Sequence, residues 1–130
     1  MAETHKHILV TGYIDVAPGA DAIDNIKQWF VDLVAAVDMN ILIQPNVVWC
    51  DTEGNEGITG IVVIDTSHSS IHIWNTESPF FKFDLYSCKD FDVDTVMSML
   101  RHLGTYKAAY TVVDRTDDSH PIIESGTIDL

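Results

Sequence analysis

Basic residues are scarce in this 130-residue sequence, which has seven Lys and Arg residues against twenty Asp and Glu residues. The formal net charge is −13. Proteins that bind nucleic acids need clustered Lys and Arg to neutralise phosphates, so this composition argues against a nucleic-acid partner. A strongly negative chain attracts cations, and the charge is therefore compatible with a small cationic ligand without identifying it.

Cysteines and long apolar runs are also few. The two cysteines, Cys50 and Cys88, do not make a disulfide framework, and a cytosolic compartment keeps such thiols reduced. Residues 58–64, among the longest apolar runs, are far too short to span a bilayer. Residues 1–6 contain no apolar signal core. We therefore expect a cytoplasmic protein with no membrane partner.

The residues that are present favour one domain covering 1–130. Apolar residues make up 46% of the chain, which is enough to bury a substantial core, whereas two domains of this total length would each be marginal. No linker, internal repeat or low-complexity segment divides the sequence.

Apolar periodicity predicts seven strands and two helices. The predicted strands are 7–15, 46–51, 58–64, 69–74, 80–88, 106–113 and 122–128, and the predicted helices are 22–39 and 93–103. Asp21 and Asp92 are the expected N-caps of the helices, and Gly104 is expected to end the second one. This order predicts an α+β fold, a two-layer sandwich in which both helices cover one face of a mainly antiparallel sheet.

The two faces of that sheet need different partners. Strand 58–64 is apolar on successive residues, which predicts that both of its faces are covered. With both helices on one face, the other face lacks a cover from the same chain. We expect a second copy of the chain there, in a homodimer or a higher homo-oligomer.

The central stretch, residues 64–88, carries chemically reactive side chains at or near strand ends. Ser67, His72 and Cys88 are the candidates for catalysis. His68 and His72 form an H-x-x-x-H spacing, which brings two ligands to one metal ion only on a helix. On a strand the same step covers roughly 13 Å, so we predict no metal site.

Taken alone, two of these residues have ordinary structural explanations. Ser67 follows an apolar strand without the G-x-S-x-G frame of a hydrolase, which is typical of a turn serine. Cys88 at a strand end is typical of a small buried apolar residue. Composition and spacing therefore do not assign a reaction.

Two runs of residues resemble the prokaryotic S-adenosylmethionine decarboxylases, a family of pyruvoyl-dependent proenzymes. They are residues 57–74, G-I-T-G-I-V-V-I-D-T-S-H-S-S-I-H-I-W, and residues 83–88, F-D-L-Y-S-C. The S-H-x-S-I-H core, followed at a distance by a cysteine, is the specific part. The length of the chain, the strand beginning at His7 and the order of elements agree, so the resemblance covers most of the chain.

The resemblance implies that the chain makes its own cofactor. It predicts self-cleavage between Thr66 and Ser67, after which Ser67 becomes a pyruvoyl group at the N-terminus of residues 67–130. His72 and Thr59 match the residues that assist this processing, with Thr59 standing where the family has serine. Cys88 matches the acid that returns a proton to the substrate carbon. The implied enzyme is a carboxy-lyase of polyamine and spermidine biosynthesis whose site lies between two protomers.

The sequence departs from the family pattern at two further places, and alternatives stay open. Thr66 replaces the usual glutamate before the processed serine, and one extra residue after Trp74 makes Glu77 the expected counterpart of a substrate-binding glutamate. A pyruvoyl-dependent arginine or ornithine decarboxylase is the second interpretation, because basic amino acids also suit an acidic protein. An uncleaved homologue that binds a ligand or a partner enzyme is the third.

Overall fold

The structure is a computed structural model that describes residues 4–130. Within that range the chain forms seven strands, two α-helices and one short 3₁₀ helix. The strands are β1 (Lys6–Ile14), β2 (Ile41–Cys50), β3 (Gly57–Ile64), β4 (Ser67–Trp74), β5 (Phe80–Ser87), β6 (Thr105–Asp114) and β7 (Ile122–Asp129). The helices are α1 (Ile23–Ala36), preceded by the 3₁₀ helix Ala20–Ala22, and α2 (Val93–Arg101).

All seven strands belong to one sheet in the order β2-β3-β4-β5-β1-β6-β7. Every neighbouring pair is antiparallel. Strand β1 lies between β5 and β6, so the N-terminal strand is central and the middle of the sequence forms one half of the sheet. The predicted α+β sandwich is confirmed.

The core lies between the sheet and the two helices. Trp29 and Phe30 of α1 are buried, and the Trp29 ring lies edge-on to Phe83 of β5 at 5.9 Å between centroids. The indole Nε1 of Trp29 donates a hydrogen bond to the carbonyl oxygen of Met99 in α2 at 2.7 Å. Because Trp29 contacts the sheet and the other helix, it fixes both helices on the same face.

The two predicted helix caps have different outcomes. Asp92 caps α2 as predicted, since its side chain accepts a hydrogen bond from the backbone N–H of Asp94 at 3.1 Å. The prediction for Asp21 is wrong, because α1 begins at Ile23 with Ala22 as its N-cap residue and no side-chain cap. Asp21 lies inside the short 3₁₀ helix, one residue too early to reach the free N–H groups of α1.

Strand boundaries differ from prediction mainly at β2 and β4. β2 begins at Ile41, five residues earlier than predicted, although Pro45 lies within it. As an edge strand with register shifts between Ile41 and Asn46, β2 tolerates a residue that lacks an N–H group. β4 begins at Ser67, so this serine belongs to the strand itself.

The sheet face opposite the helices, here called the open face, is uncovered by any of the described residues. Leu9, Val48 and Ile61 point from it and are 44%, 57% and 45% exposed. None of the described residues covers the face of β3 that carries Ile61, so the prediction that both faces of β3 are covered stays a prediction and requires a second copy of the chain there. Neither α1 nor α2 is long and apolar enough to cross a membrane.

Candidate active site at the hairpin between strands β3 and β4

A two-residue turn, Asp65 and Thr66, joins β3 to β4. Ile64 pairs with Ser67 directly across this turn. Thr66 has φ of +50°, a left-handed conformation that a β-branched residue seldom adopts. Thr66 is followed by the Thr66–Ser67 peptide bond, whose cleavage is predicted from the family resemblance. The turn therefore places an unfavourable backbone geometry next to the candidate nucleophile.

Ser67 and Cys88 meet at this turn. The Ser67 side chain faces the helices and is only 6% exposed, and its Oγ accepts a hydrogen bond from the Cys88 backbone N–H at 2.9 Å. The Cys88 Sγ donates to the carbonyl oxygen of Asp65 at 3.4 Å. Three predicted site residues, Thr66, Ser67 and Cys88, thus lie together. We call them, with Asp65, the hairpin site.

The environment of Cys88 favours its thiolate. Hydrogen bonding with the hydroxyls of Thr66 and Ser67 lowers the pKa of the Cys88 thiol below its ordinary value, against opposition from partial burial and from the negative charge of Asp65. Such a thiol loses its proton at a lower pH than a free cysteine does. A lowered pKa reduces the fraction of Cys88 that carries a proton at a given pH, so Cys88 can act as a general acid only below that pKa.

Thr59 and His72 form a second pair, on the open face. They are direct cross-strand partners in β3 and β4, and Thr59 Oγ1 lies 3.1 Å from His72 Nδ1 in a hydrogen bond. His72 is exposed, and Trp74 beyond it stacks on Phe80 with ring centroids 4.8 Å apart. We call Thr59, His72 and Trp74 the His72 site.

The structure does not bring the His72 site to the hairpin site within one chain. Ser67 and His72 are five residues apart on β4, roughly 16 Å along an extended strand, and they face opposite sides of the sheet. Glu77 lies exposed in the connection between β4 and β5, at the same end as His72. The predicted residues therefore fall into two groups at opposite ends of β4.

A further cluster on the open face was missed by sequence reasoning. Asp84 accepts a hydrogen bond from Ser70 Oγ at 2.6 Å and lies 2.8 Å from His7 Nε2, with His68 nearby. Burial raises the pKa of Asp84, but hydrogen bonds from His7 and Ser70 outweigh burial and hold it below the ordinary value. A groove of about 500 Å³ joins Asp84 to His72 along this face.

The fold and the hairpin site define a class of protein, a two-layer α+β sandwich with a serine and a cysteine at adjacent ends of the neighbouring strands β4 and β5. Within that class the identity is specific. The family model described as S-adenosylmethionine decarboxylase matches residues 6–116, and the chain belongs to this family, whose activity is that of a carboxy-lyase. The matched region contains both the hairpin site and the His72 site. No curated protein matches the chain.

Proposed function

We propose that this chain is a pyruvoyl-dependent S-adenosylmethionine decarboxylase of polyamine biosynthesis, activated by self-cleavage between Thr66 and Ser67 and working in the cytoplasm. Its membership of the family supports the reaction class. The observation that carries the proposal is the hairpin site, where Thr66 in a left-handed conformation precedes a Ser67 hydroxyl held by the Cys88 N–H group. Strain of this kind is often retained where it contributes to function.

Self-cleavage uses only the chain and one water molecule. Ser67 Oγ attacks the carbonyl carbon of Thr66, the Thr66–Ser67 amide bond breaks, and an ester forms while the nitrogen takes up the hydroxyl proton. Loss of the Cα proton of residue 67 then expels the Thr66 carboxylate and releases fragment 1–66. Water hydrolyses the resulting enamine of residue 67, ammonia leaves, and a ketone remains at the new N-terminus.

The residues of the hairpin site fit a pyruvoyl group formed in this way. When present, such a ketone provides an electron sink for the charge left on the substrate carbon after CO₂ departs. Cys88 lies beside residue 67 and serves as the general acid that protonates this carbon. For this role its thiol must carry a proton at the moment of transfer.

Processing of Ser67 is assigned to the His72 site of a second copy. A histidine can accept the hydroxyl proton of Ser67 and return it to the departing nitrogen. Within one chain His72 lies on the wrong face and roughly 16 Å away along the strand. The exposed apolar residues of the open face, including Leu9 and Ile61, favour a homodimer in which each copy completes the other's site.

The substrate is proposed to be S-adenosylmethionine, a sulfonium cation that suits a chain of net charge −13. Glu77, near the His72 site, is the proposed contact with the substrate. Arginine and ornithine decarboxylation remain competing outcomes because both substrates are also cationic. Release of labelled CO₂ from the three compounds distinguishes them, and a preference for arginine or ornithine rejects the proposed substrate.

Intact-mass analysis of the purified chain tests the proposal. We expect two fragments separated between Thr66 and Ser67, the C-terminal one carrying a carbonyl that a hydrazine traps. The Ser67→Ala variant is expected to remain a single chain. A native protein that stays intact and untrapped after prolonged incubation contradicts self-cleavage and leaves a family member that only binds its ligand or a partner enzyme.

A further inference from the structure

Three side chains from three neighbouring strands converge on the open face, and none of them is assigned a role in catalysis above. They are His7 of β1, His68 of β4 and Asp84 of β5. Each offers one nitrogen or oxygen ligand atom, and these atoms all lie within 4.8 Å of one another. The Nε2 atoms of His7 and His68 lie 2.8 and 3.9 Å from the same Asp84 Oδ2.

The carboxylate of Asp84 is fixed in a direction that suits a metal ligand. Its Oδ1 accepts hydrogen bonds from the Ser70 backbone N–H at 3.1 Å and from Ser70 Oγ at 2.6 Å. Both contacts use Oδ1, so Oδ2 is left facing the two imidazoles. Hydrogen bonds of this kind orient metal-binding carboxylates in known metal sites.

We propose that His7, His68 and Asp84 bind one divalent transition-metal ion, of the zinc or cobalt type. Imidazole nitrogens with one carboxylate oxygen suit such ions, whereas magnesium and calcium prefer all-oxygen sites. A tetrahedral ion with bonds of about 2.0–2.2 Å holds its ligand atoms about 3.3–3.6 Å apart. To reach this spacing, His7 Nε2 must move slightly away from Asp84 Oδ2, now 2.8 Å distant, and His68 Nε2 must approach it from 3.9 Å. The His68 side chain is 43% exposed and is therefore free to make this movement.

Arg115 opposes metal binding and gives the proposal a second, independent test. Its guanidinium can only donate hydrogen bonds, and its Nη1 lies 3.2 Å from His7 Nδ1. His7 therefore accepts at Nδ1 and carries its proton on Nε2, the atom that faces Asp84. A metal ion at Nε2 displaces that proton, and the neutral ring then carries its proton on Nδ1. Nδ1 can no longer accept a hydrogen bond from Arg115, so the Arg115 side chain must turn away. This cost lowers the metal affinity of the native chain.

If the chain is cleaved as proposed above, the ion connects the two fragments. His7 belongs to fragment 1–66, whereas His68 and Asp84 belong to residues 67–130. His68 is also the neighbour of Ser67, so the ion holds the cut end of β4 to β1 and β5. The site itself is complete before cleavage, and its occupancy does not depend on the proposed function.

Titration of the chelator-treated, uncleaved Ser67→Ala chain with Co²⁺ tests the site, because cobalt absorption reports inner-shell nitrogen ligands. We expect one ion per chain. His68→Gln and Asp84→Asn are expected to weaken binding at least about tenfold, and loss of the supporting hydroxyl in Ser70→Ala to weaken it by about tenfold. His102→Gln is the matched control, because His102 is exposed on the other side of the molecule and leaves the cluster intact.

The Arg115→Gln variant distinguishes specific coordination by His7, His68 and Asp84 from nonspecific binding of Co²⁺ elsewhere on the chain. Its amide oxygen can accept a hydrogen bond from His7 Nδ1–H, so we expect this variant to bind Co²⁺ about tenfold more tightly than the parent chain. Binding that is equal in His68→Gln, Asp84→Asn and His102→Gln, or absent from the parent and from Arg115→Gln, overturns the proposal. Neither outcome bears on cleavage, which is measured separately by mass.

Discussion

At the scale of single residues, Thr66 determines how the hairpin site is prepared for reaction. A β-branched residue in the left-handed region costs roughly 1–3 kcal/mol, and formation of the ester removes the constraint by breaking the following amide bond. The same strain in a turn remote from Ser67 has no such effect on the reaction. Self-cleavage should therefore depend on the residue type at position 66.

We predict that Thr66→Gly slows self-cleavage. Glycine adopts positive φ without strain, and loss of about 1 kcal/mol of ground-state strain corresponds to a rate decrease of about fivefold. Thr66→Asn, which keeps a Cβ atom but tolerates this conformation better than threonine, should fall between the two. The rate is measured by following the intact mass of freshly made protein over time.

His120→Gly is the control for the Thr66 series. His120 also has a positive φ, +48°, but it lies in the connection between β6 and β7, away from Ser67. This substitution should relieve similar strain and leave the cleavage rate unchanged. Equal rates for Thr66→Gly and the native chain would show that the turn geometry contributes nothing to cleavage.

Cys88 provides a prediction about pH. In an uncleaved Ser67→Ala, Cys50→Ser background, the Thr66 hydroxyl still lowers the pKa of the Cys88 thiol, so alkylation should reach half its maximal rate at a lower pH than for a free cysteine. Thr66→Val removes this hydroxyl and should move the midpoint to higher pH. Iodoacetamide modification followed by mass measures it, and Thr52→Val, on an exposed turn, should leave it unchanged.

The direction of the Cys88 shift also predicts the alkaline limit of decarboxylation. A general acid acts only while protonated, so activity should fall as pH rises through the pKa of Cys88 in the mature protein. Cleavage removes the Ser67 hydroxyl, one of the groups that lower this pKa. The limit should therefore lie at or above the Cys88 midpoint measured in the Ser67→Ala, Cys50→Ser background, which also lacks this hydroxyl. A limit at lower pH contradicts Cys88 as the acid.

At the scale of elements, the two helix N-termini differ in a way that stability can measure. Asp92 caps α2 with its side chain, whereas Asp21 makes no cap for α1. Asp92→Ala should lower the free energy of unfolding by about 1 kcal/mol. Asp21→Ala should change it by less than about 0.5 kcal/mol. Urea unfolding of both variants in the Ser67→Ala background makes the comparison, and equal losses would contradict the assigned caps.

The elements could be predicted from the sequence wherever one periodicity dominated. In β4, alternation correctly put Ile71 and Ile73 on one face and His72 on the other, because a half-buried strand has a period of two. The start of β2 was missed because Pro45 interrupts a strand signal, and only the position of β2 at the sheet edge makes that residue acceptable. Nothing in the sequence of α1 distinguished Trp29 from the other apolar residues of the helix as the residue that contacts α2.

At the scale of the whole molecule, strand register limited what the sequence could show about the site. Ser67, His72 and Cys88 were candidates from their chemistry and position and received their roles through the family resemblance, yet that resemblance does not say which of them share a face. The hydrogen bond between Thr59 and His72 requires the β3–β4 register. The cluster of His7, His68 and Asp84 requires β1 beside β5, although 65 residues separate the end of β1 from the start of β5 in sequence.

The separation of the two halves of the site predicts complementation between defective copies. In a dimer, a His72→Gln chain keeps a cleavable Ser67 and needs His72 from its partner, while a Ser67→Ala chain can supply that histidine but cannot be cut. We expect His72→Gln protein to stay intact alone and to be cleaved when co-expressed with Ser67→Ala. Tags of different length identify the cut chain by mass.

A Ser67→Ala, His72→Gln double variant provides the matched control for complementation, since it can pair with the His72→Gln chain but brings no histidine. If purified chains are mixed instead of co-expressed, the buffer should contain about 0.15 M salt or more, where the Debye length of about 8 Å limits repulsion between chains that each carry a net charge of −13. Rescue by Ser67→Ala but not by the double variant requires His72 to act across the interface. Cleavage that the double variant restores equally removes His72 from the reaction. If the His72→Gln chain stays intact in every mixture, His72 acts on the Ser67 of its own chain. That result would contradict the structure, in which the two side chains lie on opposite faces of β4.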